Sequence, residues 1–461
     1  MGKLRRGGTA GNQRTVQTLD RPMRCGEVFR EGRLSVLTPG RRDPHSRGTL
    51  CAGSAGLGAG KPINRARTTT MTIAAELHTP SQLDLQARAR ELAETVMRPV
   101  AAKYDEEQTY PWEVQEAIRD AGLSGVWIPE EYGGLGGGVL DLCLVVEEFS
   151  RACGGMGVGF AVNALGSFPI LVGGTEEQKE RWLPPIAAGE KLIAFGLSEK
   201  ESGSDAGSMR TRATLDGDCY VLNGEKKWNT GGAVASLNTI FAVTNPDRGA
   251  RGISAFVLEV DNGLPGYRVG KHEDKMGIRC VPVVEIHLDE CRVPRSSLLG
   301  GEEGRGFKHA MITLDRARPG VAAQAVGLAQ GALDLAIQYT HERKQFGQSV
   351  SSFQGIQWML ADMATQIEAA RQLVYYAARL IDSGHKNITR ASAMCKLMAT
   401  DVAMKVTTDA VQLFGGYGYC KDYPIEKFMR DAKITQIYEG TNQIQRLVIA
   451  RNLLREAAAG A

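Results

Sequence analysis

The chain has 461 residues, 43% hydrophobic and 23% charged, an ordinary globular composition with room for about two to four domains. Its formal charge of +3 hides an asymmetry: residues 1–70 hold 14 Lys/Arg against 4 Asp/Glu, an excess of +10, so the rest carries −7 and offers no general nucleic-acid surface. No run approaches the ~18 apolar residues of a membrane span, and nine scattered cysteines without a CxxC pair indicate reduced thiols in a reducing compartment and no metal site.

Residues 1–77 read as an extension outside the working body. They are rich in Gly and Arg and nearly free of aromatic residues, so they cannot bury enough apolar surface to offset the entropy of ordering. Three accounts stand: an over-extended start with the true initiator at Met71, a cleaved targeting peptide, or a functional basic tail.

A helical domain is expected over 78–191. Leu83, Ala87, Leu92, Val96 and Val100 form a stripe ending near Arg98-Pro99, and Pro111 opens a short helix to Ala121. The glycine run from Ile128 to Gly138 follows no strand and precedes no Lys-Ser/Thr, so it reads as a turn between helices and not as a phosphate cradle. Helices follow over 139–151, 156–172 and 175–188, the last begun by a Thr175/Gln178 capping box. At Leu192 the period changes. Leu192–Leu197, Met209–Leu215, Leu237–Thr244, Ile253–Val260 and Val284–Leu288 read as strands, punctuated by Asp216-Gly217, Asn223-Gly224 and Asn262-Gly263. They make a middle β-domain over 192–305.

From 306 to 461 the patterning is helical again. Stripes run from Val321 to Tyr339, from Ile356 to Ile381, and through Ala391, Met394, Met398, Val402, Val406, Ala410 and Leu413. With the segment from Thr441 they make a four-helix bundle, its methionines read as core filler. Just before that last segment lies Asp431–Leu447, DAKITQIYEGTNQIQRL, which sets Glu439 between Tyr438 and Gly440 at the break between two apolar-periodic segments. A carboxylate projecting from such a junction among apolar neighbours has a raised pKa and suits a general base. A solvated Glu beside a left-handed Gly440 at a helix end fits the same letters.

Helices, a β-domain, then a bundle is also the layout of the acyl-CoA dehydrogenase family, which this chain resembles from about Leu83 to Arg455. The resemblance rests on Arg318-Pro-Gly-Val-Ala-Ala-Gln-Ala-Val-Gly-Leu-Ala-Gln330, Glu342-Arg-Lys-Gln-Phe-Gly347, Gln412-Leu-Phe-Gly-Gly-Tyr-Gly418, Met429-Arg-Asp-Ala432 and Ile437-Tyr-Glu-Gly-Thr441. The branches most similar are the medium-chain and short-chain enzymes. The resemblance implies a mainly α fold with a central β-barrel-like domain, and FAD-dependent α,β-dehydrogenation of an acyl thioester. In that chemistry a carboxylate takes the α-proton, flavin N5 takes the β-hydride, and electrons pass to an electron-transfer flavoprotein.

Carried over residue by residue, the resemblance makes Glu439 the base, since the alternative base position of some relatives is Ala317 here. It places Ser204, Asp315, Arg318, Tyr438 and Gly440 on the substrate side. Arg318 alone reads equally as part of a helix N-terminal salt bridge. For FAD it implies Leu197, Ser198, Trp228 and Thr230 around the flavin ring, and Arg343, Phe346, Gln412 and Gly416 reaching the FAD of a neighbouring subunit. Thr441 and Gln443 fall on the adenine side. Trp228 by itself equally suits a core aromatic on a strand. Sites completed by a neighbour imply a homotetramer, and no metal is implied. Two departures stand out, Ser198-Glu-Lys-Glu-Ser-Gly-Ser-Asp205 and Trp228-Asn-Thr-Gly-Gly-Ala233, and Lys200 raises an acyl carrier protein as an alternative to acyl-CoA. Ala161 and Val162 are expected at the end of an apolar acyl pocket. Rival readings are an acyl-CoA oxidase and, in another class, a nucleic-acid-binding homologue without dehydrogenase activity. The expected location is the cytoplasm, or the mitochondrial matrix if the extension is a targeting peptide.

Overall fold

A computed structural model describes residues 77–459. The alternative readings of the extension, and the basic segment behind the nucleic-acid reading, fall outside that range except for Leu77.

Thr79 and Gln82 cap each other's backbone N–H groups to start α1 (Pro80–Leu92). The helix does not stop at Arg98-Pro99. It widens into a π-helical segment over Ala93–Met97 and continues as α2 (Arg98–Glu107), a change of winding that lets a helix pass a proline. The buried stripe is Leu85, Ala89, Leu92 and Met97, while Leu83 and Ala87 face solvent, so the expected phase was off by two residues. α3 (Trp112–Asp120) is followed by the glycine run, which folds back on itself through Leu135 N–H to Gly125 O at 3.0 Å and Gly137 N–H to Val126 O at 2.9 Å. It is a turn between helices. Three helices complete this region: α4 (Val139–Ala152), α5 (Gly154–Gly173) and α6 (Glu176–Ala187), the last with the expected Thr175/Gln178 box.

The middle region is one seven-stranded sheet: β1 (Ile193–Gly196), β2 (Arg212–Asp216), β3 (Cys219–Thr230), β4 (Leu237–Val243), β5 (Ile253–Glu259), β6 (Tyr267–His272) and β7 (Val283–Pro294). The order is β1-β4-β2-β3-β7-β6, with β5 on β4. Sequence patterning missed β3 and β6. Asp216-Gly217 is the β2–β3 turn, with Asp216 paired to Cys219. Asn223-Gly224, expected as another turn, instead lies within β3 at a register shift, where Gly224 has φ 146°. A bulge uses the same residues as a hairpin turn, because both need a backbone that L side chains avoid.

Helices return with α7 (Gly306–Glu342), followed by a small hairpin of β8 (Lys344–Gln345) and β9 (Gln348–Ser349), then α8 (Gln354–Asp382) and α9 (Thr389–Phe414). Short α10 (Gly416–Tyr419), α11 (Ile425–Thr435) and α12 (Asn442–Ala459) follow. α7, α8 and α9 pack on one another, α11 packs on α7 and α9, and α12 lies along α9. α7 begins well before Arg318 and runs straight through Pro319, so Arg318 is not at a helix N-terminus. The Asp315 carbonyl, deprived of the N–H that Pro319 lacks, accepts instead from the Ser392 hydroxyl of α9. Met394 and Met398 are 39% and 38% exposed, so these two do not fill the core. α5 and α7 are long and apolar enough to cross a membrane, contrary to the expectation from uninterrupted runs. Their most apolar windows are 78% and 83% buried in the protein, as in core helices.

α11 stitches these layers together. Arg430 donates to Asp105 of α2 at 2.8 Å and to the Met276 carbonyl at 2.9 Å, while Asp431 accepts from Ile278 N–H at 2.6 Å. The loop before β7 comes so close that a Cβ on Gly277 would lie 2.4 Å from the Arg430 carbonyl carbon and oxygen. Gly277→Ala is therefore expected to lower the unfolding free energy by about 1–3 kcal/mol. Urea denaturation checks this, and an unchanged midpoint would contradict the close approach.

Candidate active site

The α11–α12 connection is short and fixed at both ends. Ile437 and Tyr438 N–H both donate to the Ile434 carbonyl, at 2.8 and 3.1 Å, and Asn442 N–H returns to Gln436 O at 3.0 Å. Between them Glu439 takes a left-handed φ of 51° and Gly440 one of 92°. The glycine adopts its conformation freely, whereas for glutamate it costs about 1–3 kcal/mol and persists only where the surroundings over-determine it.

Those surroundings come from three helices. Arg318 of α7 donates from Nε to the Glu439 carbonyl at 3.3 Å and from Nη1 to Asp315 at 2.7 Å. Gln445 of α12 reaches the carbonyls of Glu439 and Gly440, at 3.3 and 2.8 Å. Lys396 of α9 donates to Gly440 O and to Asn442 Oδ1, both at 2.9 Å. The Tyr438 hydroxyl donates to Gln324, which itself donates to Gly154 O at 2.9 Å. With its backbone held from every side, Glu439 has one free end. Its Oε2 is sealed from solvent and has no hydrogen-bond partner, and its N–H has none among the described residues. Burial pushes this carboxyl up to about 7, with Arg318 and Lys396 pulling the other way. A carboxylate poised near neutral pH beside a free N–H can accept a proton and stabilise the negative charge that the transfer leaves behind.

Not every expected substrate-side residue faces outward. Asp315 and Arg318 are committed to each other, and Asp315 also accepts from Thr389 at 2.5 Å while burial raises its pKa. Ser204 is exposed. Glu199 and Ser202 bond each other's backbone at 3.0 and 3.2 Å, which leaves Lys200 at the exposed tip of the turn.

The residues expected around a flavin ring do come together. Lys227 N–H donates to Ser198 O at 2.9 Å, and Lys226 Nζ reaches Leu197 O at 3.3 Å, so the end of β1 is tied to the last residues of β3. Trp228 sits at a register shift of β3 with φ 55° and its side chain 52% exposed, so it is no core aromatic. Thr230 ends that strand half-buried, and Val162 helps line a small cavity beside Gly231. Arg343 and Phe346 belong to the β8–β9 hairpin segment. Phe346 is at its tip with φ 53° and is 94% exposed, and Arg343 lies 5.6 Å from the Tyr417 ring. Gln412 and Gly416 are exposed nearby in sequence, at the end of α9 and the start of α10. Thr441 and Gln443 line an open groove of about 450 Å³ with Asp401, Lys433 and Arg446.

Comparison with known proteins meets this geometry. The N-terminal, middle and C-terminal domains of acyl-CoA dehydrogenase match residues 79–190, 194–291 and 304–454. The chain belongs to the acyl-CoA dehydrogenase family. It is 51% identical over 372 residues to a probable acyl-CoA dehydrogenase of Mycobacterium tuberculosis, covering 81% of this chain and 95% of that protein. Among solved structures, butyryl-CoA dehydrogenase from Megasphaera elsdenii superposes with a TM-score of 0.79 at 45% identity, covering 82% of this chain and 99% of that one. A chain from work on the electron transferring flavoprotein of Acidaminococcus fermentans superposes with a TM-score of 0.80 at 50% identity, over 82% and 99%.

As a member of the acyl-CoA dehydrogenase family the protein is an oxidoreductase that dehydrogenates acyl-CoA, and the family is flavin-dependent. The chain's residues fit such a group. Of the six non-glycine residues with positive φ among those described, three are Trp228, Phe346 and Glu439, and strain of this kind gathers at ligand clamps and reacting groups. The half-exposed Trp228 ring offers an aromatic surface next in the chain to Lys227, whose N–H bonds Ser198 O, and Thr230 follows two residues on at the end of the same strand. Sequence reasoning missed Gln324, Lys396 and Gln445, which hold the loop. Lys396 left one signal, a lysine in phase with buried Ala399, Thr400 and Ala403.

Proposed function

We propose that this acyl-CoA dehydrogenase uses FAD and that Glu439 is its base. Bound FAD would supply the hydride acceptor for the β-carbon. The chain's part is to bind the thioester, exclude water and take the α-proton on the Glu439 carboxylate. Leu197, Ser198, Trp228 and Thr230 would hold the flavin ring. Arg343, Phe346, Gln412 and Gly416 would serve a neighbouring subunit's FAD in a homotetramer, and Thr441 and Gln443 the adenine end. Ser204, Tyr438 and Gly440 line the substrate side, whereas Asp315 and Arg318 support it by bracing the loop. Electrons would pass to an electron-transfer flavoprotein. A cytoplasmic location is supported by bacterial relatives, and no such support exists for the mitochondrial matrix.

The observation that carries the reading is the sealed, unpartnered Oε2 of Glu439 on a strained, fully braced backbone. Anaerobic titration of the yellow protein with butyryl-, isobutyryl-, octanoyl- and palmitoyl-CoA tests it through the flavin absorbance. One chain class is expected to bleach the flavin rapidly. Because the carboxyl must be ionised to accept a proton, the reduction rate should rise with pH along a limb centred near the value of about 7 to which burial brings it. Protein that binds no flavin, or a pH-independent rate across neutrality, would count against the proposal.

A further inference from the structure

The cation nearest in role to Glu439 is one that the proposed mechanism has not used. Lys396 is wholly buried on α9, 0% exposed, and points both of its hydrogen bonds at the far side of the loop, to Gly440 O and Asn442 Oδ1. Only one of these acceptors depends on it. Gly440 O also receives Gln445 Nε2 at 2.8 Å, whereas the Thr400 hydroxyl donates to Lys396 O at 2.8 Å and accepts from Asn442 Nδ2 at 2.8 Å, so Asn442 Oδ1 relies on the lysine. A neutral donor at position 396 could serve that amide equally well, and burying an ammonium is costly unless its charge is used.

The charged groups facing Lys396 show where that charge goes. Arg318 on α7 is a cation, but it is engaged with Asp315 at 2.7 Å. Asp401, further along α9, is an anion engaged with Arg446 of α12 at 2.9 Å and with Asn442 Nδ2 at 2.7 Å. Glu439 is left, a carboxylate whose Oε2 has no partner. Lys396 makes no direct ion pair with any of them; its bonds run to the carbonyl and the amide on either side of Thr441. Lys396 is bonded to the carbonyl of the residue next to Glu439, and a cation and a carboxylate that near one another, neither with an ion-pair partner, each support the other's ionised form.

We propose that Lys396 is a positioning residue for the base: it pins the Gly440–Asn442 side of the loop, and its charge keeps Glu439 in the ionised, proton-accepting form. The inference rests on Glu439 being the base. Burial draws the ammonium down to about 7 while it pushes the carboxyl up to about 7, so over one pH range the lysine gives up its charge as the carboxylate gains its own, and the cation's support for the ionised base is greatest on the acid side of that range. An ordinary structural lysine would leave the titration of Glu439 alone.

The test is anaerobic flavin reduction by a reactive acyl-CoA as a function of pH, in the unsubstituted protein and in Lys396→Gln, Lys396→Met, Lys396→Arg and Glu439→Gln. Loss of the charge in Lys396→Gln or Lys396→Met should move the acid limb upward by about one pH unit, roughly a tenfold slower reduction below the limb. Lys396→Arg should keep the midpoint. The carboxyl stretch of Glu439, isolated by infrared difference against Glu439→Gln, should titrate with the same shift in the absence of substrate. An unmoved midpoint in a flavin-bound neutral variant overturns the proposal, as does an equal shift in Lys396→Arg. Failure of both neutral variants to fold also overturns it, because the lysine's role would then be structural. Near-normal reduction in Glu439→Gln would instead remove the base assignment, whatever Lys396 does.

Discussion

Glu439→Gln is expected to fold and bind flavin, and to reduce that flavin by acyl-CoA about 10⁴-fold more slowly. The amide keeps the size of the carboxylate and leaves its backbone carbonyl free to accept from Arg318 and Gln445 as before. It cannot accept the α-proton, and Ala317 offers no second carboxylate at the alternative position. Stopped-flow absorbance under anaerobic conditions measures the loss directly, and a loss below tenfold would mean that another group takes the proton. Stability should move the other way. The folded pKa of Glu439 is raised, so its ionisation stabilises the unfolded chain relative to the folded one. The group's contribution to stability is present below its unfolded pKa and lost as pH rises through about 7. The neutral variant should therefore be more stable at neutral and alkaline pH, by about 1–3 kcal/mol. Slower reduction with a higher denaturation midpoint would separate lost chemistry from lost structure.

Asp431→Ala is expected to cost about 3–5 kcal/mol of unfolding free energy. Asp431 is fully buried, accepts the Ile278 N–H at 2.6 Å, and pairs with Lys427 one turn away on α11. Burial alone would discharge Lys427, yet Asp431, with Cys153, Cys280 and Asp105 adding to it, holds the ammonium well above its ordinary value. Lys427 also contacts the Cys153 sulfur at 3.2 Å. Removing the aspartate strands an ammonium in the core and leaves a backbone N–H unpaired. Adding Lys427→Met should recover part of the loss, since a buried pair replaced by apolar groups is far less damaging than a buried pair broken. Guanidinium denaturation of the single and double variants checks both. Equal stability of Asp431→Ala and the unsubstituted chain would mean that α11 is not held as described.

Most of the elements were legible because their signals are local. Thr175 and Gln178 cap α6 where their spacing requires it, and the apolar spacing that announced α7, α8 and α9 reflects a period that repeats over many residues. The failures have equally local causes. Asn223-Gly224 spells a hairpin turn and builds a bulge, because the two share a backbone requirement and differ only in what lies across the sheet. Pro99 looks like a stop and Arg318-Pro319 like a start, yet both prolines sit in continuing helical structure. One is accommodated by a π-helical segment, and the other by a serine on another helix that satisfies the freed carbonyl.

For the active site, the sequence by itself determined that a glutamate stands at the junction of two helical segments, within motifs that name its family. It could not determine that the residue is left-handed, that Oε2 is sealed, or that Arg318 is spent on bracing the loop. Nor could it show that Lys396, 43 positions earlier in the numbering, bonds the carbonyl of the next residue, Gly440. Spacing along a helix fixes which residues share a face, since that depends only on the local winding of the chain. Desolvation and charge at Glu439 depend on groups from α7, α9 and α12 that meet only when those helices pack, and that meeting was decided by the tertiary structure alone.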